Sequence, residues 1–262
     1  MKKEFPFSKN RTRLSTVLQT AGKLVSIDDA ERALDLERDV AAKMLSRWVS
    51  QGWLVRVGPG LYAPVPLDAL TTQQVIEDPW VLVPALFDPC YIGGWTAAGY
   101  WDFTEQIFRS ILVFTAGPVR KKLQTYHGTE FVVKHTKEDS LFGIKTLWRG
   151  SAKVSISDKH RTIIDMLDTP ETGGGITHVF DCLKAYLKDQ ESDTNQLIDY
   201  AARLGNGAVF KRLGFLAEQL GVEALLQPCR EGMTTGNAKL DPSIASSRLL
   251  KRWNLWIPKK WA

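Results

Sequence analysis

The sequence predicts an α+β protein of two domains, an N-terminal helical unit closed by a hairpin and a larger C-terminal mixed α/β domain. Three observations carry this expectation. Residues 26–63 place two short amphipathic helices directly before a tight hairpin, the stretch from 110 to 156 holds β-branched runs at strand length, and apolar spacing turns helical from 158 to 220. At 262 residues the chain is long enough for a second domain with its own core.

Ser26 suits an N-cap, with Asp28 and Asp29 in the first turn where carboxylates favour the helix dipole, and Ile27, Ala30, Ala33 and Leu34 form a buried stripe. That helix spans 27–34. After a turn at 35–37, Val40/Ala41, Met44/Leu45 and Trp48/Val49 recur at helical spacing and form the buried side of a second helix. Its other side carries Arg38, Ala42, Lys43, Ser46, Arg47 and Ser50, small residues that permit close approach beside cations that match phosphate or guanine edges. Gly52 ends this helix in the left-handed conformation, and strands at 53–57 and 61–63 flank a Gly58-Pro59-Gly60 turn. This is the layout of a winged helix-turn-helix. Arg38, Lys43, Ser46 and Arg47 on the helix, with Arg56, Gly58 and Gly60 on the wing, are the candidate DNA-binding residues; such units also serve as protein-docking modules.

Prolines at 64, 66 and 79 set the end of this unit, with the boundary near Asp68, giving domains 1–67 and 68–262, and a short helix is expected from Thr71 or Thr72. Beyond it, Tyr91 to Gly94 lead into a compact aromatic helix, followed by strands at 110–115, 129–135, 145–148 and 153–156. Ser157 is the expected cap of a helix over 158–167. Three further helices follow, around Ile176 to Leu187, after Asp193 or Thr194, and from Val209 to a stop at Gly221, so that strands come first and a bundle-like helical half second.

The net charge is +5 and the isoelectric point is about 9.0. Through Pro66 eleven Lys/Arg face seven Asp/Glu, and residues 247–262 hold five cations and no acid, with Trp253, Trp256 and Trp261 interleaved. Those indoles either pack on the body or form a stacking surface. Arg120, Lys121 and Lys122 in a turn, with Arg248, Lys251 and Arg252 near the end, are candidate secondary phosphate contacts. Cys90, Cys182 and Cys229 lack a C-x-x-C pair, and His127, His135, His160 and His178 lack helical zinc spacing, so buried thiols and no metal or cofactor are expected. No apolar run approaches a membrane span and the first fifteen residues lack an apolar core, so the expected setting is the cytoplasm, without a membrane partner.

Asp158, His160, Asp165 and Asp168 are the best catalytic candidates, as the carboxylates of a metal-dependent nuclease or other nucleic-acid-processing enzyme targeted by the winged helix. The structural reading of the three carboxylates is the stronger: Asp158 in a first turn, Asp168 at a helix end, and Arg161 four residues from Asp165 as a helix ion pair. Gly173-Gly174-Gly175 precedes a helix without the lysine of a P-loop, which favours close packing over an anion site. Trp95, Tyr100, Trp101 and Phe103 fit a core, or a groove for a partner segment.

GPGLYAP at the wing, YIGGWTAAGYWDFTEQ from Tyr91, VSISDKHRTIIDMLDTPETGGGI from Val154 and ARLGNGAVFKRLGFLAEQLG from Ala202 together resemble the AbiEi antitoxins, regulators of AbiE-type (type IV) abortive-infection toxin-antitoxin pairs used in phage defence. His160 stands where that family usually has an acidic or small residue. The resemblance implies a non-enzymatic protein that binds inverted repeats in double-stranded DNA to repress its own operon. It also implies a second domain that takes part in countering a nucleotidyltransferase-like toxin. Because no dimerisation heptad is present, a monomer that places two copies on the operator is expected.

Overall fold

The computed structural model describes residues 9–66, 69, 76–150 and 152–261. The expected boundary at Asp68 and helix start at Thr71 or Thr72 lie outside the described residues. The architecture is α+β, in two compact units. One takes the described residues up to Leu86 with 125–130 and 148–153, and the other takes 87–124, 131–147 and 154 onward.

In the first unit α1 (Lys9–Ala21) is followed by β1 (Val25–Ser26), α2 (Ile27–Leu34), α3 (Arg38–Ser50), β2 (Leu54–Gly58) and β3 (Leu61–Pro64). Ser26 closes a capping box: its hydroxyl accepts from the Asp29 backbone N–H at 3.1 Å, and the Asp29 carboxylate accepts from the Ser26 N–H at 2.9 Å. The left-handed Asp35 then ends α2 and turns the chain into α3. Gly52, at φ +73°, provides the left-handed exit from α3. β3 lies between β1 and β2, antiparallel to both, with Val25 opposite Tyr62 and a bulge between Arg56 and Gly58. Val17, Val25, Ala30, Ala41, Leu45, Trp48, Leu54 and Tyr62 form the core that locks the three helices to this sheet. Val40, expected on the buried side of α3, is instead 49% exposed. The stripe actually buried is Ala41, Leu45 and Trp48, and Val40, one step of about 100° away from Ala41, falls on the open side.

α4 (Leu82–Phe87), β4 (Cys90–Ile92) and α5 (Gly94–Tyr100) come next, then β5 (Ser110–Thr115), β6 (Leu123–Tyr126), β7 (Thr129–His135), β8 (Ile144–Arg149) and β9 (Ala152–Ser157). Six strands pair in the order β6-β7-β5-β4-β9-β8, mixed in direction, with β4 antiparallel to β5 and parallel to β9. After the sheet come α6 (Lys159–Asp168), α7 (Ile176–Tyr186), α8 (Thr194–Leu204), α9 (Gly207–Leu220) and α10 (Leu226–Gly232). A small parallel and antiparallel sheet then forms from β10 (Ala238–Lys239), β11 (Arg248–Leu250) and β12 (Leu255–Ile257). Asp158, not the expected Ser157, caps α6: its carboxylate accepts from the Arg161 N–H at 2.7 Å, while the Ser157 hydroxyl turns to Thr162 at 2.8 Å. α6 is the hub, packed against α5, α7, α8 and α9, with every residue from Arg161 to Leu167 buried.

Gly214 sits within α9, where a Cβ would drive into the Trp253 ring, whereas the helical Gly99 faces open space. Alanine gains about 1 kcal/mol over glycine inside a helix, but forcing an aromatic off its packing costs about 1–3 kcal/mol. Gly214→Ala therefore lowers stability on balance and Gly99→Ala leaves it equal or raises it. Thermal unfolding of the two variants, compared side by side, checks the opposite signs.

Candidate nucleic-acid interface

With Ala41, Leu45 and Trp48 turned inward, α3 presents Lys43, Ser46, Arg47 and Ser50 at positions i, i+3, i+4 and i+7, all exposed and on one face. Lys43 and Arg47 make no ion pair among the described residues. Val40 lies three residues before Lys43 and adds an apolar side chain to that open side. The sequence pattern missed it because in a first helical turn a valine flanked by alanine reads as core.

Arg38 is placed differently. Its guanidinium is paired with Asp28 and, at 3.1 Å, with Glu31, both on α2. Hydrogen bonding to Arg38 holds the Asp28 carboxyl below its ordinary range, and the same contact raises Arg38. The guanidinium is still open to solvent, so it is tethered rather than enclosed. Arg56 is exposed and its Nε donates to the Gly58 carbonyl at 3.1 Å, which steadies the bulge. Gly58 itself is buried, and a Cβ there would meet the Leu86 side chain at 2.7 Å; Gly60 is left-handed at φ +65° over Ile27.

Arg120, Lys121 and Lys122 are exposed in the second unit, as are Arg248 and Lys251, while Arg252 is paired with Glu218 at 2.9 Å. The three terminal indoles divide. Trp253 is fully buried and donates to Glu218 at 2.9 Å, Trp261 packs edge-on against Phe180 and Phe215, and Trp256 faces solvent.

The catalytic candidates are each committed to a structural partner. Asp165 accepts from Arg161 Nε at 2.8 Å and from the Tyr91 hydroxyl at 3.1 Å, with both charged side chains about fully buried at 2% and 1% exposure. Burial pushes Asp165 up to about 6 against the pull of Arg161 and Lys134, and its second oxygen has no partner among the described residues. Asp168 is bound by Lys134 at 2.9 Å and Asn206 at 2.8 Å, which outweigh burial and hold its carboxyl low. Asp158 caps α6 and accepts from Tyr200 at 2.9 Å; His160 meets the Tyr186 hydroxyl at 2.7 Å. Among the described residues no three His, Cys, Asp or Glu side chains converge as a metal-ligand set. At the triple glycine, the buried Asp241 carboxylate accepts from the Ile176 N–H at 2.9 Å, so the N-terminus of α7 already holds an anion. Trp95 stacks on Phe108, Trp101 donates to the Ser157 carbonyl at 2.8 Å and Phe103 is buried, which leaves Tyr100 at the surface. Cys182 and Cys229 are buried free thiols and Cys90 is half-buried, all pushed up to about 12 by burial first of all.

In the first unit the helices bury one side against a small sheet and turn a cationic side to solvent. Residues 13–65 match the family model described as transcriptional regulator, AbiEi antitoxin. The motifs quoted from 154 and 202 lie beyond the matched segment. In fold, the chain is similar to the crystal structure of the RV2827C protein from Mycobacterium tuberculosis, with a TM-score of 0.63 at 14% identity, over 96% of this chain and 92% of that one. No curated protein matches the chain. No helix among the described residues is long and apolar enough to cross a membrane.

The raised Asp165 carboxyl has a defined consequence for stability. Because the folded state binds its proton more tightly than the unfolded chain, this group adds stability as pH falls from 7 through about 6 toward the ordinary carboxylate range. Asp165→Asn, which carries no titrating carboxyl, removes that pH-dependent gain. Urea unfolding at pH 7 and pH 5 is expected to show the wild type gaining stability at the lower pH relative to the variant.

Proposed function

We propose that the protein is an AbiEi-type antitoxin and autorepressor. Its domain of residues 1–67 acts as a winged helix-turn-helix: α3 enters the major groove of an inverted repeat upstream of its own gene, and the β2–β3 hairpin is the wing. The observation that carries this reading is the open face of α3, with Lys43, Ser46 and Arg47 exposed within the segment that matches AbiEi regulators. The cations supply phosphate attraction, Val40 suits a thymine methyl, and Arg38, near the start of α3, suits a base edge. Arg56 suits backbone phosphate beside the groove, with Gly58 and Gly60 shaping the tip that carries it. Arg120, Lys121 and Lys122 of the second unit are further candidate phosphate contacts.

In this reading the tether of Arg38 to Asp28 and Glu31 contributes to discrimination. A base contact must be good enough to replace two carboxylates already in place, whereas non-specific DNA offers no such exchange. The larger C-terminal domain acts without catalysis to counter a nucleotidyltransferase-like toxin. The commitment of Asp158, Asp165 and Asp168 to structural partners supports that over the nuclease alternative. The protein is monomeric in solution and two copies meet on the repeat.

Gel shifts on the upstream repeat and a scrambled duplex, at two salt concentrations, test the assignment. Arg38→Ala narrows the gap between operator and scrambled DNA by about 1–3 kcal/mol, while Arg56→Ala weakens both duplexes alike and lowers the salt slope by about one. Asp28→Asn, which removes an acid from the approaching face and frees Arg38, raises affinity for both duplexes and narrows the gap. Identical behaviour of Arg38→Ala and Arg56→Ala is incompatible with the roles assigned.

A further inference from the structure

The C-terminal sheet has one face with no use in the fold. β12 is its central strand, flanked by β10 and β11, and alternation along it divides the side chains cleanly. Leu255 and Ile257 point into the core of the second unit with Leu250 of β11, whereas Trp256 between them is 38% exposed. The register sets Lys239 of β10 on one side of Trp256 and Leu249 of β11 on the other, so Lys239, Trp256 and Leu249 form one row across the outer face. Trp256 makes no hydrogen bond or ring contact among the described residues, in contrast to Trp253 and Trp261, which are both packed.

The segment that builds this row is rich in one sign of charge. Between residues 239 and 261 the sequence holds six cations and a single acid, Asp241, and that acid is fully buried against the Ile176 N–H. Lys239, Arg248, Lys251, Lys259 and Lys260 are exposed. An indole left open on a sheet face, with the exposed Lys239 in register beside it, has the chemistry to take the π-face of a base and the phosphates beside it.

We propose that this outer sheet face binds single-stranded RNA, an unpaired base stacking on Trp256 with its neighbouring phosphates on Lys239 and Lys251. A flat sheet face cannot enter the groove of a duplex, and paired bases already spend both faces on stacking, so the occupant is unpaired. Exposed, splayed bases are what RNA loops and ends provide. The site is separate from α3 in residues and in ligand, so the protein has two nucleic-acid surfaces of different kinds, and this one stands whether or not the α3 reading holds.

The test is fluorescence anisotropy of the full-length protein with a labelled mixed-sequence oligoribonucleotide of about ten nucleotides, a length within the site size of one small binding surface. Trp256→Leu, which keeps an apolar strand residue but removes the stacking face, is expected to weaken binding by about tenfold or more, and Trp256→Phe by much less. Lys239→Glu, on an exposed side chain with no packing role, weakens binding and serves if the tryptophan variants unfold. Lys43→Gln with Arg47→Gln leaves RNA binding unchanged, which separates this surface from the operator-binding reading. Absence of RNA binding, wild-type affinity in both Trp256→Leu and Lys239→Glu, or equal competition by single-stranded or duplex DNA of the same sequence overturns the proposal.

Discussion

The second unit is organised around a charge pair that water does not reach. α6 is buried on all sides, and it carries Arg161 and Asp165 one helical turn apart within it. A lone buried charge costs several kcal/mol, so the helix is tolerable only if the pair forms and finds further hydrogen bonds. Those come from other parts of the unit: Tyr91 on β4 bonds both groups, and the guanidinium lies over the Phe142 ring at 4.1 Å, with Arg203 over the same ring. The sheet, α6 and α8 are thereby tied to a single polar node. Among the described residues Arg161 Nη1 and Asp165 Oδ2 are its two unpartnered atoms, and burial raises the carboxyl's proton affinity.

A simpler constraint governs the first unit. Trp48, with Leu45 and Ala41, must face the sheet to close a small core, and this fixes the rotation of α3 about its axis. Once that rotation is set, Lys43, Ser46 and Arg47 have no direction open except solvent. The exposed cationic face is thus a by-product of packing, and its cations cost little because they stay hydrated there. Arg38 differs because it sits where α3 passes the acidic first turns of α2, and it is drawn to them.

Residues 26–63 were the most legible part of the chain. Ser26 and Asp29 mark a capping box, Gly52 marks a left-handed exit, and the hairpin is short, so each local rule points to the same arrangement. Strands β5 and β7 were equally plain, being continuous β-branched and aromatic runs at both edges of which the pattern breaks. The three strands of the C-terminal sheet were not, because each is only two or three residues long and exists through pairing with partners distant in sequence. β4 was hidden for the same reason. At the candidate interface the identity of the exposed cations was readable from helical spacing, but the tether of Arg38 depends on how α2 packs beside α3. The fate of the three terminal tryptophans was likewise undecidable from spacing, since burial of Trp253 requires Gly214 on α9 to leave room for its ring.

The proposed DNA contact lies on the open face of α3. Chemical acetylation of lysines in the full-length protein, with and without a duplex from its own upstream region, reads this directly, followed by peptide mass mapping. Lys43, exposed on α3, is expected to be protected by the duplex while Lys188, exposed just after α7, keeps its reactivity. Unchanged reactivity of Lys43 on a duplex that the protein demonstrably binds would contradict it.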